Sequence, residues 1–232
     1  MRLWKLLLLA SALVVSFGTD ADAKTHKARA RSHGADARTS SVVAVAARQT
    51  AACYRIDAAR STFVVRAYAG GVLWFKGHDH ILAARDFSGE VSAAPDAVAS
   101  ASLVLRVRAD SLAETRDVFT EPQKQIINRE LREIVLQTDK YPEILFRSTD
   151  VAVKLEKGLF KVKVGGDLTL HGVTRRIVIP AEVTFGGDSL RARGTFKINR
   201  SDFKVRATSA FHGTVRVRDK LKFTFDIVAR RI

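Results

Sequence analysis

Alternation of apolar and polar residues with a period of two constrains this chain more than any other feature of its sequence. The clearest apolar members are Leu103, Leu105 and Val107; Phe160, Val162 and Val164; Ile177, Ile179, Ala181, Val183 and Phe185; and Leu221, Phe223, Phe225 and Ile227. Successive side chains of a β-strand point to opposite faces. Each segment is therefore predicted to be a strand with one buried face and one face in water.

Turn residues separate these segments at short intervals. They occur at Gly70-Gly71, Lys157-Gly158, His171-Gly172, Gly186-Gly187-Asp188 and Asp219-Lys220. Short connections of this kind join neighbouring strands in antiparallel fashion, and a sheet of about eight such strands avoids exposed edges by closing on itself. The sequence therefore predicts an all-β fold, an eight-stranded antiparallel barrel.

One segment departs from the period of two. Thr120 is a residue type that caps helix N-termini, and Glu121-Pro122 suits a first helical turn. The apolar stripe of the segment consists of Ile127, Leu131, Ile134 and Val135. This spacing predicts one helix that extends to about residue 138 and closes one end of the barrel.

The N-terminus has the organisation of a secretory signal peptide. Arg2 and Lys5 precede an apolar run at residues 6–17, and Ala21-Asp22-Ala23 supplies small residues at a cleavage position. The run is shorter than the ~20 residues that span a bilayer, which favours a cleaved signal over the alternative of an uncleaved anchor. We interpret residues 1–23 as the signal and predict that the protein is exported.

A basic segment separates this signal from the folded part of the chain. Residues 24–50 contain six basic residues and one acidic residue, with little apolar character, and we interpret them as a flexible linker. Residues 51–232 then form a single domain. The formal net charge of +15 favours anionic partners, among which export makes nucleic acid the least expected. Cys53 is the only cysteine, so no intramolecular disulfide can form.

Five segments stand out in order along the chain. They are Tyr-Arg-Ile-Asp at 54–57 with Ser-Thr-Phe at 61–63, Phe-Ser-Gly-Glu-Val at 87–91, Asp-Lys-Tyr-Pro-Glu-Ile-Leu-Phe-Arg-Ser-Thr at 139–149, Gly-Asp-Leu-Thr-Leu-His-Gly-Val-Thr-Arg at 166–175, and Phe-Lys-Ile-Asn-Arg-Ser-Asp-Phe at 196–203. Together they resemble a known family, the YceI-like, polyisoprenoid-binding, lipocalin-like proteins of bacterial periplasms. Arg60 and Lys204 stand where the family often has His and Gly, and these departures bear on the ligand more than on the fold.

The resemblance implies a lipocalin-like barrel in the periplasm whose apolar interior holds an isoprenoid chain, such as a quinone tail or a polyprenyl lipid. No cofactor is implied. An eight-stranded barrel is wide enough to enclose one slender ligand, and aromatic residues are abundant, with 13 Phe and 2 Trp. The predicted ligand-binding residues are Phe63, Trp74, Phe75, His78, His80, Phe146, His171, Phe196, Phe203, Phe223 and Phe225.

Several polar residues admit more than one interpretation. His78 and His80 point to the same side of a strand and could bind a lipid headgroup or, with His171 or His212, a metal ion. Arg175, Arg176, Arg200 and Asp202 suggest an ion-pair cluster or a phosphate-binding rim. His171-Gly172 is most simply a tight turn.

Signatures of catalysis are missing from the sequence, which lacks a Gly-x-Ser-x-Gly elbow, a Walker loop and a dinucleotide-binding glycine pattern. The sequence therefore predicts a lipid-binding protein rather than an enzyme. Two alternatives stay open, a metal-dependent protein built on His78 and His80 and an envelope-stress protein. In the latter, the basic residues 24–50 would contact anionic membrane surfaces. The oligomeric state is open, with a homodimer as one option.

Overall fold

The computed structural model describes residues 50–72, 75, 77–206, 209–210 and 215–232. The predicted signal peptide and all but the last residue of the predicted linker lie outside the described residues, as do Trp74 and His212. No described helix is long and apolar enough to cross a membrane.

Strands dominate the described chain. They are β1 (Ala52–Ile56), β2 (Thr62–Gly70), β3 (His80–Ala84), β4 (Phe87–Ala93), β5 (Ser102–Arg108), β6 (Leu112–Glu114), β7 (Glu143–Glu156), β8 (Leu159–Leu170), β9 (Val173–Gly186), β10 (Ser189–Asn199), β11 (Ser209–Ala210) and β12 (Val215–Arg231). All pairings are antiparallel. The four segments with the clearest alternation fall within β5, β8, β9 and β12, as predicted.

The sheet closes into a barrel because β12 is long enough to pair with two strands along one edge. Eight strands form the ring in the order β1, β4, β5, β7, β8, β9, β10 and β12, and β12 returns to β1 near its C-terminal end. Residues 216–226 of β12 pair instead with β2, which pairs in turn with β3, and β3 pairs with β6. The predicted eight-stranded antiparallel barrel is thereby confirmed.

Tight turns connect the longest strands. Lys157-Gly158 and His171-Gly172 join β7 to β8 and β8 to β9, and all four residues have positive φ, the geometry that matches the twist of a hairpin. The predicted turn at Asp219-Lys220 is wrong, because both residues lie inside β12. The register of β12 against β2 shifts there, between Val217 and Leu221, so the polar residues occupy an irregularity rather than a chain reversal.

The predicted helix is present in two parts. The α-helix α1 (Glu121–Glu130) begins at a capping box formed by Thr120 and Gln123, and a π-helical segment (Leu131–Leu136) follows it. Because a π-turn holds more residues than an α-turn, the apolar stripe does not stay on one face. Ile127, Leu131 and Val135 face the barrel interior, whereas Ile134 is about half exposed.

Two glycines allow aromatic side chains to lie flat against the inner wall. A Cβ on Gly194 would lie 2.5 Å from Cζ of Phe225, and a Cβ on Gly166 would lie 2.6 Å from Cζ of Phe146. Both glycines are interior strand residues, where glycine is otherwise unfavourable. Here it provides the room that a ring needs above the backbone of the neighbouring strand.

Candidate functional site

The barrel interior is hollow in one half and filled in the other. In the filled half, Tyr54, Phe160 and Phe185 pack edge to face, with ring centroids 5.8 to 6.2 Å apart, and they surround buried aliphatic residues such as Leu190 and Ile227. None of these five residues lines the apolar cavity of the other half. The side chains of this half interdigitate as in an ordinary protein core.

The hollow half contains a cavity of about 250 Å³. Its walls come from every described strand except β1, β4 and β11, and residues of the α-helix and π-helical segment also line it. The apolar lining residues are Phe63, Val65, Ala67, Leu82, Leu105, Val107, Leu112, Ile127, Leu131, Val135, Leu136, Ile144, Phe146, Leu168, Leu170, Ile177, Ile179, Phe196, Val205, Val217, Leu221 and Phe223. Such a lining has high affinity for hydrocarbon and offers few hydrogen bonds.

Aromatic rings stiffen one wall of this cavity. Phe196 and Phe223 face each other across β10 and β12 and stack with centroids 4.8 Å apart at an interplanar angle of 12°. Phe63 on β2 lies 6.0 Å from Phe223. Such aromatic pairs stabilise each other beyond the burial of their surface, so this wall is firmly packed.

Three polar side chains interrupt the apolar lining, namely His80, Glu130 and Arg200. His80 is the first residue of β3, and its ring stacks on Phe119 with centroids 5.4 Å apart at an interplanar angle of 7°. Nδ1 of His80 lies 2.8 Å from Oε2 of Glu114 on β6. These contacts hold the imidazole from two sides.

Glu114 is a fully buried carboxylate. Its Oε1 accepts hydrogen bonds from the backbone N–H groups of Ile81, Thr115 and Arg116 at 2.9 to 3.2 Å. Burial disfavours the charged form, but the hydrogen bonds from His80 and the backbone outweigh it, so the pKa of Glu114 lies below its usual range. An ionised carboxylate only accepts hydrogen bonds. Nδ1 of His80 is therefore the donor, and its Nε2 has no hydrogen-bond partner within the described part of the chain.

The position of Glu114 also depends on α1. The side chain of Asn128, in the last turn of the helix, accepts a hydrogen bond from the backbone N–H of Glu114 at 2.8 Å. The helix that covers the cavity and the strand that orients His80 are thus tied to each other. Glu114 was not predicted from the sequence, because an acidic residue at the end of a strand of three residues carries no signal of burial.

Arg200 follows β10 in a 3₁₀ turn (Arg200–Phe203). Its Nη1 and Nη2 donate to the carbonyl oxygens of Val205 and Val217 at 2.9 and 3.4 Å. Its Nε is buried and has no partner among the described residues. A buried donor without an acceptor is unfavourable, and at the edge of an apolar cavity it suits an oxygen atom of a ligand.

The structure places five of the predicted ligand-binding residues on the cavity and five elsewhere. Phe63, His80, Phe146, Phe196 and Phe223 line it. Phe203 and Phe225 are buried outside the lining, Phe75 is 64% exposed, and Trp74 lies outside the described residues. His78 packs edge to face on Phe119.

His171 occupies the turn between β8 and β9, away from the cavity lining. Its ring packs against Tyr141 with centroids 4.3 Å apart, and neither ring nitrogen makes a well-aligned hydrogen bond to a described residue. Burial, and then the charge of Lys140, lower the pKa of His171, while the nearby backbone of Phe203 partly opposes them. The ring therefore favours its neutral form.

Among the described residues, neither polar cluster suggested by the sequence is complete, and His212, one of the suggested metal ligands, lies outside them. Within the described ranges, no three His, Cys, Asp or Glu side chains come together as a metal-ligand set. The suggested arginine cluster is present in part, because Arg175, Arg176 and Asp202 line one surface pocket, whereas Arg200 lies at the apolar cavity. Arg176 pairs with Asp150, and Asp202 accepts a hydrogen bond from Asn199.

Comparison with known proteins decides the family. The profile described as YceI-like domain matches residues 54–229, most of the chain. This chain belongs to the YceI-like family. The resemblance seen in the sequence is confirmed, and the match covers nearly all of the barrel of this YceI-like domain.

Curated relatives of this YceI-like chain carry the name UPF0312 protein. One from Vibrio cholerae is 33% identical over 130 residues, which span 53% of this chain and 64% of the relative. Another, from Pseudomonas syringae pv. tomato, is 33% identical over 127 residues, which span 51% of this chain and 60% of the relative. The matched segments thus cover less than two thirds of these relatives.

Solved structures share the fold at low sequence identity. BcnA of Burkholderia cenocepacia superposes with a TM-score of 0.60 at 22% identity, over 75% of this chain and 98% of that protein. A polyisoprenoid binding domain from Saccharophagus degradans superposes with a TM-score of 0.54 at 15% identity, over 77% and 98% of the two chains. At these identities the likeness concerns the barrel alone.

Proposed function

We propose that this protein binds an amphiphilic polyisoprenoid lipid, of the quinone or polyprenyl type, and carries or buffers it in the periplasm. One observation carries the proposal: an apolar cavity occupies half of a barrel whose other half is tightly packed. A chain that needed only a stable core would fill both halves. The described polypeptide leaves this space open and walls it with rigid aromatic rings.

The energetics of hydrocarbon burial suit such a ligand. Each CH₂ group removed from water contributes about 0.8 kcal/mol, so a chain of roughly ten buried carbons contributes about 8 kcal/mol before ordering costs. The cavity of about 250 Å³ lies just below the ~300–1,000 Å³ of most ligand pockets. It therefore suits part of a slender chain better than a bulky ring system.

The polar end of the ligand is held by His80 and Arg200. Nε2 of His80 and Nε of Arg200 belong to the three polar residues of the lining, and neither nitrogen has a partner among the described residues. A hydroxyl, carbonyl or phosphate oxygen at this position would satisfy one or both. The likeness of the barrel to a polyisoprenoid binding domain from Saccharophagus degradans supports the choice of an isoprenoid as the ligand.

Export and the absence of catalysis belong to the same proposal. The signal-like residues 1–23 favour the periplasm, where a hydrophobic lipid needs a carrier to cross water. The described residues that line the cavity are mostly hydrocarbon, which favours binding over chemical conversion. We therefore assign the protein a binding role without a catalytic step.

Extraction of the gently purified protein from its native host with organic solvent, followed by mass spectrometry, tests the proposal. We expect an isoprenoid lipid near equimolar amounts, and uptake of added quinone or polyprenol by lipid-free protein. An empty barrel from the host, together with no uptake of either lipid, would overturn it.

A variant with a blocked cavity makes the test specific to the site. Ala67 lines the cavity, and Ala67→Trp would occupy the space that the lipid chain needs. Ala152→Trp places the same side chain on the exposed outer face of β7 and serves as the matched control. We expect Ala67→Trp to lose lipid and Ala152→Trp to retain it; equal lipid content in the two variants would argue against this cavity as the site.

A further inference from the structure

Three cations occupy neighbouring positions on the outside of β10, β12 and β2. Lys197 lies directly opposite Lys222 across β10 and β12, and Lys222 lies directly opposite Arg66 across β12 and β2. We call Lys197, Lys222 and Arg66 the cationic row. Like charges at directly opposed strand positions destabilise a sheet, so the cationic row lowers the stability of the folded domain.

Another pair of opposed lysines on this barrel is neutralised. Lys154 lies directly opposite Lys161 across β7 and β8, and Glu156 binds both of them at 2.5 and 2.7 Å. In the part of the chain that the structure describes, no carboxylate lies within ion-pair distance of any member of the cationic row. The row therefore presents charge that the described protein does not compensate.

Further positive charge lies beside the row on the first half of β12. Arg216, Arg218 and Lys220 are exposed, and Asp219, the acid among them, is bonded to the turn that follows β10. The whole segment 197–222 contains eight basic and two acidic residues. Positive charge is thus concentrated where β10 ends and β12 begins.

This charged surface is the outer side of the cavity wall. Val65, Phe196 and Phe223 precede or follow the members of the cationic row by one residue, and all three line the cavity. Side chains alternate between the two faces of a strand. The same short stretches of β2, β10 and β12 therefore bear apolar groups inside and uncompensated cations outside.

We propose that the cationic row, with Arg216, Arg218 and Lys220 beside it, docks the barrel onto anionic phospholipid bilayers. The choice of a lipid surface rests on the proposed lipid-carrier function, since a bilayer is where a polyisoprenoid is collected and delivered. The positive charge of this surface also suits an anionic bilayer, because each basic residue near such a membrane raises the binding constant about fivefold. Docking would bring the wall of the cavity next to the source of its ligand.

Co-sedimentation of the full chain with vesicles tests this surface. Vesicles of phosphatidylcholine alone are compared with vesicles that also contain phosphatidylglycerol. We expect Lys222→Glu to lower binding to the anionic vesicles by more than about tenfold. Lys161→Glu makes the same change in net charge on another face of the barrel and should lower binding by less than about threefold.

The stability of the variant separates loss of docking from loss of folding. Glu at position 222 would lie between Lys197 and Arg66 and turn a repulsive row into an attractive one. Thermal unfolding of Lys222→Glu should therefore occur at the same or a higher temperature than that of the unaltered chain. A variant that binds vesicles less while it unfolds no earlier supports the docking surface.

The outcomes distinguish this inference from the proposed function. If Lys222→Glu and the unaltered chain bind anionic vesicles equally, or if Lys161→Glu is as impaired as Lys222→Glu, the docking surface is refuted, whatever lipid the cavity holds. If the unaltered chain takes up no quinone or polyprenol but Lys222→Glu still loses vesicle binding, the carrier function fails and the docking surface stands. The basic residues 24–50 are present in every variant, so their contribution to vesicle binding is the same in all of them.

Discussion

The buried carboxylate of Glu114 binds the ring of His80 through a hydrogen bond of 2.8 Å between Oε2 and Nδ1. The Glu114 side chain has no solvent exposure, whereas the His80 side chain is 28% exposed and lines the cavity. The protein therefore fixes the orientation of this imidazole before any ligand arrives. A polar group that is already ordered loses less entropy when it binds a lipid headgroup.

Replacement of Glu114 tests how much this pair stabilises the barrel. Glu114→Gln keeps the shape of the side chain but removes its negative charge, so its hydrogen bonds to His80 and to the backbone are no longer charge-assisted. The amide NH₂ group of Gln would also face a hydrogen-bond donor, either Nδ1–H of His80 or the backbone N–H groups. We expect the free energy of unfolding to fall by about 1–3 kcal/mol in urea denaturation. Glu143→Gln, which breaks an exposed ion pair with Arg106, should cost at most ~1 kcal/mol. Equal losses would contradict the structural role of Glu114.

The stability of the domain should fall as the pH drops below the normal range for histidine. The folded state lowers the pKa of His171, so the unfolded chain binds this proton at a higher pH than the folded chain does. The contribution of His171 to stability is therefore fully present above about pH 6.5 and is lost below it, by at most ~1.4 kcal/mol per pH unit. Thermal unfolding measured from about pH 7.5 to about pH 5.5 should show this loss.

Two variants isolate the contribution of His171 to that profile. His171→Asn removes the titrating group and keeps a residue type that tolerates the positive φ of this turn, so it should flatten the profile. Lys140→Met removes only the neighbouring charge and should weaken the slope without abolishing it. An unchanged slope in His171→Asn would show that other groups cause the pH dependence.

The difference between the hollow and the filled half predicts that the same substitution destabilises one half much more than the other. Ala67 borders the cavity, whereas Ala229 is fully buried in the filled half. Ala229→Leu should overpack the core and cost about 1–3 kcal/mol of unfolding free energy. Ala67→Leu has space available and should change stability by less than about 1 kcal/mol. Similar losses in both variants would mean that the cavity is closed in solution.

Close backbone approach makes Gly194 intolerant of a side chain. A Cβ at this position would lie 2.4 Å from the carbonyl oxygen of Pro180 and 2.5 Å from Cζ of Phe225. Gly194→Ala should therefore destabilise the barrel by about 2 kcal/mol or more. At Gly186 the nearest atom would be 3.8 Å away, so Gly186→Ala should stay within about 0.5 kcal/mol. Calorimetric melting of the two variants side by side checks the contrast.

Local patterns predicted the elements of this fold well where they repeat over many residues. The period of two in β8 and β9 and the turn residues between them predicted a hairpin, and the structure has it. The turn predicted at Asp219-Lys220 is wrong because a strand can absorb polar residues in an irregularity when the apolar alternation continues on both sides. Residue type alone does not distinguish the two situations.

The candidate site was predictable only in part. Phe63, Phe146, Phe196 and Phe223 belong to strands whose inward positions follow from alternation, and they line the cavity. Phe225 has the same pattern but packs outside the lining. Its depth along the barrel depends on strand register, and register follows from the pairing of distant segments.

The sequence by itself determined the class of fold, the family and the apolar character of the interior, because these follow from local periodicity and from motifs in a fixed order. Only the tertiary structure decided which half of the barrel is hollow, which carboxylate is buried and which lysines stand opposite each other. Each of these depends on residues that are far apart in the chain and come together through strand register and barrel closure. A property that arises from such pairing is absent from any single segment of the sequence.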